Sequence, residues 1–269
     1  MSVSAPAATT LFAELPVVHP SSFAQWRALT GRIVRTMATK GELYVAVLTP
    51  LVVTAAFYLP LRYVMQFQGI DYAQYVMPII VLQTMAMTMM SNAQLAAFEA
   101  LTGLSARLQT MPIGSLVPLL SRVSAGIVRS VVSLIATVGY GYLIGFRFTG
   151  GWEQALVFCG FALAVGVVLT LGADALGSLT KNPEALSQAL TLPILIFGML
   201  STGFVPEDAF PTWARAFARN QPISQFAQTL SDMAVGHLSW AGSWVSLVWL
   251  GGAAMLFLPL AVWASVRRS

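Results

Sequence analysis

Charge is scarce in this chain: 9% of its 269 residues are Asp, Glu, Lys or Arg, while 57% are hydrophobic. So small a polar share excludes an ordinary soluble domain and makes the bilayer the relevant solvent. Cysteine is nearly missing as well. The single Cys159 excludes an intrachain disulfide and any cysteine-based metal cluster, and its place in an apolar run reads as helix packing. The two histidines, His19 in the N-terminal tail and His237 in an outer loop with only Asp232 nearby, form no metal-ligating pair, so no metal is expected. No Gly-x-x-x-x-Gly-Lys-Ser/Thr segment occurs, so ATP is not expected to bind in the usual way and energy must come from elsewhere. No convergence of His, Asp, Ser and Cys near one surface supports a membrane-embedded lipid enzyme. Residues 1–20 have neither a basic n-region nor an apolar core, which argues against a cleavable signal peptide and for a disordered cytoplasmic tail. The formal charge of +4 is spread singly between apolar runs, which excludes nucleic acid as a partner.

What the chain has instead is long apolar runs, too long and continuous for barrel strands and suited to helices that satisfy their own backbone. Six spans are expected, over 43–63, 72–98, 116–146, 155–178, 185–201 and 240–266. Before them, residues 21–41 place Phe23, Trp26, Leu29, Ile33, Val34 and Met37 on one helical face and Arg32 and Arg35 opposite. That is an amphipathic interfacial helix, or a soluble helix packed on a partner. The fold class is therefore all-α, a polytopic membrane protein whose six-helix domain covers 42–269. With the N-terminus inside, eight basic residues face the cytoplasm (Arg27, Arg32, Arg35, Lys40, Arg107, Lys181, Arg267, Arg268) and four face outward (Arg62, Arg147, Arg215, Arg219). Both termini are then cytoplasmic. No inverted repeat is visible.

Two connections are long, 99–115 on the cytoplasmic side and 203–239 outside, and function should concentrate there. The outer one begins at Gly203-Phe204, runs through Pro206, Pro211 and Trp213, and closes with Asn220-Gln221-Pro222. Its prolines forbid one straight helix, so it is expected to break, turn at the outer surface and lie partly along it as short helices carrying Trp213 and Phe217 at headgroup depth; a plain loop is the alternative. This segment resembles the C-terminal signature of ABC-2-type permeases, a family of drug, lipid and polysaccharide exporters. Closer still, TPLV at 49–52, GYLIGFRF at 141–148, TKNPEA at 180–185, LPILIFG at 192–198 and ARNQPISQF at 218–226 resemble the daunorubicin-resistance-type permease B subunit, whose mycobacterial form is associated with export of phthiocerol dimycocerosate lipids. The chain departs from the wider pattern at Ser231, where an Arg often follows the Pro segment, so no role of that Arg carries over.

The resemblance implies a membrane subunit of an ABC exporter working with a separate ATPase chain that carries ATP and Mg, and with a second permease, in a heterodimer rather than a homodimer. The cargo is a lipid or an amphiphilic drug. It also implies that the 99–115 loop forms a coupling helix seated in the ATPase, here Glu99, Gly103, Leu104, Arg107, Met111 and Pro112, with a solvated turn as the alternative. An ion-coupled secondary transporter is the competing class, and it would need carboxylates at the midplane, where only Asp174 is near membrane depth.

Charges inside spans are costly and therefore informative. Arg122 and Asp174 fall at comparable depth in the third and fourth spans and are a plausible ion pair, structural or functional. Arg129 lies nearer the centre with no acidic residue at its depth, so it faces the bundle interior, a cavity or a subunit interface, and contacts either an amphiphilic substrate or helix carbonyls. Gly141 and Gly145, four apart, allow close helix contact. Met85, Met87, Met89 and Met90 offer either ordinary packing or an adaptable surface for a lipid.

Overall fold

Capping and proline chemistry set the starts of most helices. Ser21 accepts the amide of Ala24 and opens α1 (Ser22–Thr39). Gly41, in the left-handed region at φ 79, turns the chain into α2 (Glu42–Gln66). Asp71 caps α3 (Tyr72–Leu101), and Pro118 occupies the first turn of α4 (Val117–Ile144). After α5 (Trp152–Leu179), Asn182 caps α6 (Pro183–Met199) through the amides of Glu184 and Ala185. Then come α7 (Thr212–Asn220), α8 (Pro222–Val235) and α9 (Trp240–Val266). This is a computed structural model describing residues 21–67, 71–103, 114–180, 182–204, 210–237 and 240–266, and no strand occurs among the described residues.

Every expected span boundary falls within three residues of a helix end. Five helices, α2, α3, α4, α5 and α9, are long and apolar enough to cross a bilayer. The expected fifth span is α6, at 17 residues the short one. At the α-helical rise it reaches about 26 Å, a few ångströms under the hydrocarbon thickness.

The central helix is α3, 72% buried over its apolar window, against 11% for α9 and 17% for α2, whose Tyr44, Leu48, Val52, Trp244, Val248 and Met255 face outward as lipid-contacting surface does. Around α3 pack α2, α4, α5, α6 and α8. Small residues allow the closest approach: a Cβ on Gly177 of α5 would strike the carbonyl of Ala93 and the side chain of Ala96 on α3. The main core joins Val76, Met77, Ile80 and Met85 of α3 to Phe158, Val165, Phe226 and Leu230.

Three expectations need correction. The stripe of α1 is not wholly free for a membrane surface: it packs in part on the chain's own α4 and α2, with Met37 buried and the Trp26 indole donating to Ser124 Oγ at 3.1 Å, while Phe23 stays exposed. The pair Gly141 and Gly145 splits in role: Gly141 gives room to Met77, whereas Gly145 ends α4 in the left-handed region at φ 107. Most consequentially, of the two helices after Pro211, α7 exposes its aromatics Trp213 and Phe217 but α8 buries Phe226. That second helix enters the bundle against α3, α5 and α9, because Phe226, Ala227, Leu230, Met233 and Ala234 recur on one helical face.

Candidate functional site

Arg122 and Arg129 stand seven residues apart on α4, two turns, so both point to the same side with an axial separation of about 10 Å. Each carries a charge into a helix long enough to span, where only paired charges are tolerable. Arg122 is clamped by Asp174 of α5, Nε to Oδ1 at 2.5 Å and Nη2 to Oδ2 at 3.0 Å, a two-point fork on one carboxylate. Its third contact is Glu99 Oε2 on the last turn of α3, at 3.2 Å from Nη1. One guanidinium thus ties α3, α4 and α5 together. Asp174 is not alone, contrary to the expectation above: Glu99 reaches the same guanidinium.

Arg129 also has an acidic partner, correcting the expectation of no acidic residue at its depth. Its Nη2 donates to Glu42 Oε2 on the first residue of α2, and Nη1 donates to Asn92 Oδ1 on α3 at 3.4 Å. The signal lies in the charge at the very start of the second helix, which an Arg side chain reaches by extending along its own helix. Asn92 passes the contact to Thr170 Oγ1 of α5 at 3.4 Å. Gly126 makes room for this layer, since a Cβ there would lie 2.8 Å from both Asn92 Nδ2 and Thr170 Cγ2.

The two layers differ in wetness. Asp174 and Arg122 are 3% and 9% exposed, while Glu42 is 36% exposed beside an Arg129 that is 4% exposed. Glu42 is exposed because it lines a cleft of about 530 Å³ between α2, α3 and α4, together with Lys40, Thr84, Met87, Met90 and Arg129. Met87 and Met90 also line a smaller cavity of about 150 Å³ beneath α6, whereas Met85 is core and Met89 packs beside Ala93 and Leu186.

Of the expected coupling residues, Glu99 faces inward to Arg122, and Gly103 follows α3 at φ 68, a left-handed position that suits glycine. Leu104, Arg107, Met111 and Pro112 lie outside the described residues. At the opposite end of the bundle the outer signature forms a neutral clasp. Phe204 is buried and stacks on Phe57 at 4.1 Å. Gly203 sits where a Cβ would lie 2.9 Å from Ile79 Cβ and 3.0 Å from Ala227 Cβ. Ser224 Oγ accepts the amide of Thr202 at 3.1 Å and donates to Ser201 Oγ at 3.2 Å, while Gln221 Nε2 donates to the Phe197 carbonyl at 3.1 Å. Gln221 belongs to the segment singled out in the sequence, whereas Ser201 and Ser224 carry no sequence signal of their own beside the prolines and aromatics. Pro211 precedes α7, Pro222 begins α8, and Asn220 at the end of α7 donates back to Ala216. Pro206 lies outside the described residues.

The family model of the ABC-2 type transporter matches residues 24–234. The doxorubicin resistance ABC transporter permease protein DrrB of Mycobacterium tuberculosis is 36% identical over 252 residues, 86% of this chain and 87% of its own. From the same organism, the probable doxorubicin resistance ABC transporter permease protein DrrC is 28% identical over 162 residues, 60% of this chain and 58% of its own. A daunorubicin resistance ABC transporter permease protein of Streptomyces coeruleorubidus is 27% identical over 197 residues, 71% and 67% respectively. With long apolar helices around a buried α3 and a match across most of its length, the chain belongs to the ABC-2 type transporter family, as a polytopic membrane permease.

Proposed function

We propose that this chain is the membrane-spanning subunit of an ATP-driven exporter that moves a lipid or amphiphilic compound outward. A separate ATPase chain carries ATP and Mg, and a second ABC-2 permease completes the pathway. The termini face the cytoplasm of a bacterial inner membrane, which places the α1 end and the 99–115 loop beside the ATPase. The observation that carries this reading is the Glu99–Arg122–Asp174 triad: it anchors the root of that loop to three helices through one buried guanidinium. A displacement of the loop therefore moves α3, α4 and α5 together and is not absorbed by one helix end. The relatives named for doxorubicin and daunorubicin resistance favour an amphiphilic drug as one cargo; the apolar walls fit a lipid equally.

The competing reading, an ion-coupled transporter without an ATPase, draws on the two carboxylates at Arg122. Both are engaged by the same guanidinium, so neither stands ready to exchange a cation. Inside-out vesicles prepared with the native operon partners separate the two. Uptake of doxorubicin that needs ATP and survives collapse of the ion gradients supports the exporter; uptake that follows the gradient without ATP overturns it.

A further inference from the structure

The elbow between α1 and α2 is two residues long, Lys40-Gly41, and the left-handed Gly41 turns it sharply enough that Lys40 and Glu42 line the same cleft. A second cavity, about 160 Å³, adjoins it between α1, α3 and α4 and shares Lys40, Glu42, Leu95 and Phe98. The joint lining presents four cations, Arg32, Lys40, Arg122 and Arg129, against the carboxylates of Glu42 and Glu99. Arg122 and Arg129 are consumed by the ion pairs described above. Arg32 and Lys40 are exposed, and they sit where α1 meets the bundle. Beyond them the cleft runs between Val45, Ala46, Met87 and Met90. Hydroxyls of Thr49, Thr84, Thr88 and Ser91 interrupt those apolar side chains, so the cleft is an amphipathic groove with a positive mouth between membrane helices, complementary to one class of molecule.

We propose that this cleft is a binding site for an anionic phospholipid of the surrounding bilayer, its phosphate held between Arg32 and Lys40 and one acyl chain lying along Met87 and Met90. A zwitterionic lipid is a poorer occupant, because its own ammonium meets the same two cations. The lipid is a resident that fills the elbow and braces α1 against α3. The site goes beyond the exporter reading and does not depend on an ATPase.

Native mass spectrometry of the delipidated full chain, titrated with equal mixtures of dioleoyl phosphatidylglycerol and dioleoyl phosphatidylcholine, tests it. The wild type is expected to retain phosphatidylglycerol about thirtyfold over phosphatidylcholine, from roughly 1 kcal/mol for each of the two basic groups. R32Q/K40Q is expected to lose that preference. R27Q/R35Q, which removes two exposed charges of α1 outside the cleft lining, is expected to keep it. Equal retention of both lipids by the wild type overturns the proposal, as does an equal loss in the two double variants. So does a cleft that excludes lipid because a second copy of the chain covers it, visible as a dimer without bound phosphatidylglycerol.

Discussion

The two charge layers on α4 are built from the same residue on the same helix face, yet they are set in different surroundings. Arg122 meets two carboxylates in a tight three-helix junction beside a cavity of about 160 Å³; Arg129 meets one, on the wall of a cleft of about 530 Å³. A buried, doubly partnered guanidinium can be removed only by stranding its partners, which marks it as a structural anchor. A guanidinium whose partner is already half in the cleft is one whose pairing a ligand or a movement of α2 can alter. The difference teaches that depth in the membrane says little about a charge until its partners and their exposure are known.

The sharpest way to break the comparison is at the Arg122 layer. R122L leaves Asp174 buried and Glu99 half-buried without a counter-charge, and about 3–5 kcal/mol of stability should be lost, seen as a large fall in melting temperature and in folded yield from detergent. Next comes an asymmetry within the wet layer. E42Q strands the buried Arg129, while R129L leaves a carboxylate that the cleft can solvate, so E42Q should melt clearly lower than R129L. R129L is expected to assemble and to lose export; failure to assemble would return Arg129 to a purely structural role. Gly126→Ala sharpens the comparison from the packing side. Its methyl meets Asn92 and Thr170 and should cost about 1–3 kcal/mol by forcing the Arg129 layer apart. At the opposite end of the bundle Gly203→Ala should cost a similar amount by pressing on Ile79 and Ala227, with the charge layers intact. The smallest effect, within about 0.5 kcal/mol, is expected for Trp213→Ala, since that side chain is 83% exposed and touches little protein.

Much of this was legible beforehand, and what was not has physical reasons. Continuous hydropathy located the helices because bilayer thickness fixes their length; α6 is the exception, trimmed by Asn182-Pro183 at one end and the Ser201–Phe204 turn at the other. The meeting of Arg122 with Asp174 follows from counting depth along antiparallel neighbours. Glu42 escaped the same count because it sits one residue outside an apolar run, and a flexible side chain of several ångströms closes that gap. The outer segment read correctly as broken by prolines, yet its second half went into the core: Phe226, Leu230 and Met233 carry a helical apolar period that a search for punctuation overlooks. Gly203 could not be understood from sequence at all, since its reason is the approach of Ile79 and Ala227 from two other helices.

The central claim, that this permease works through a separate ATPase docked at the 99–115 loop, is tested most directly by purifying the chain from solubilised membranes and identifying its companions, with R107E alongside. The account predicts recovery of an ATPase subunit, weakened by the charge reversal. A functional chain that transports on its own, with no ATPase recovered from either form, would contradict it.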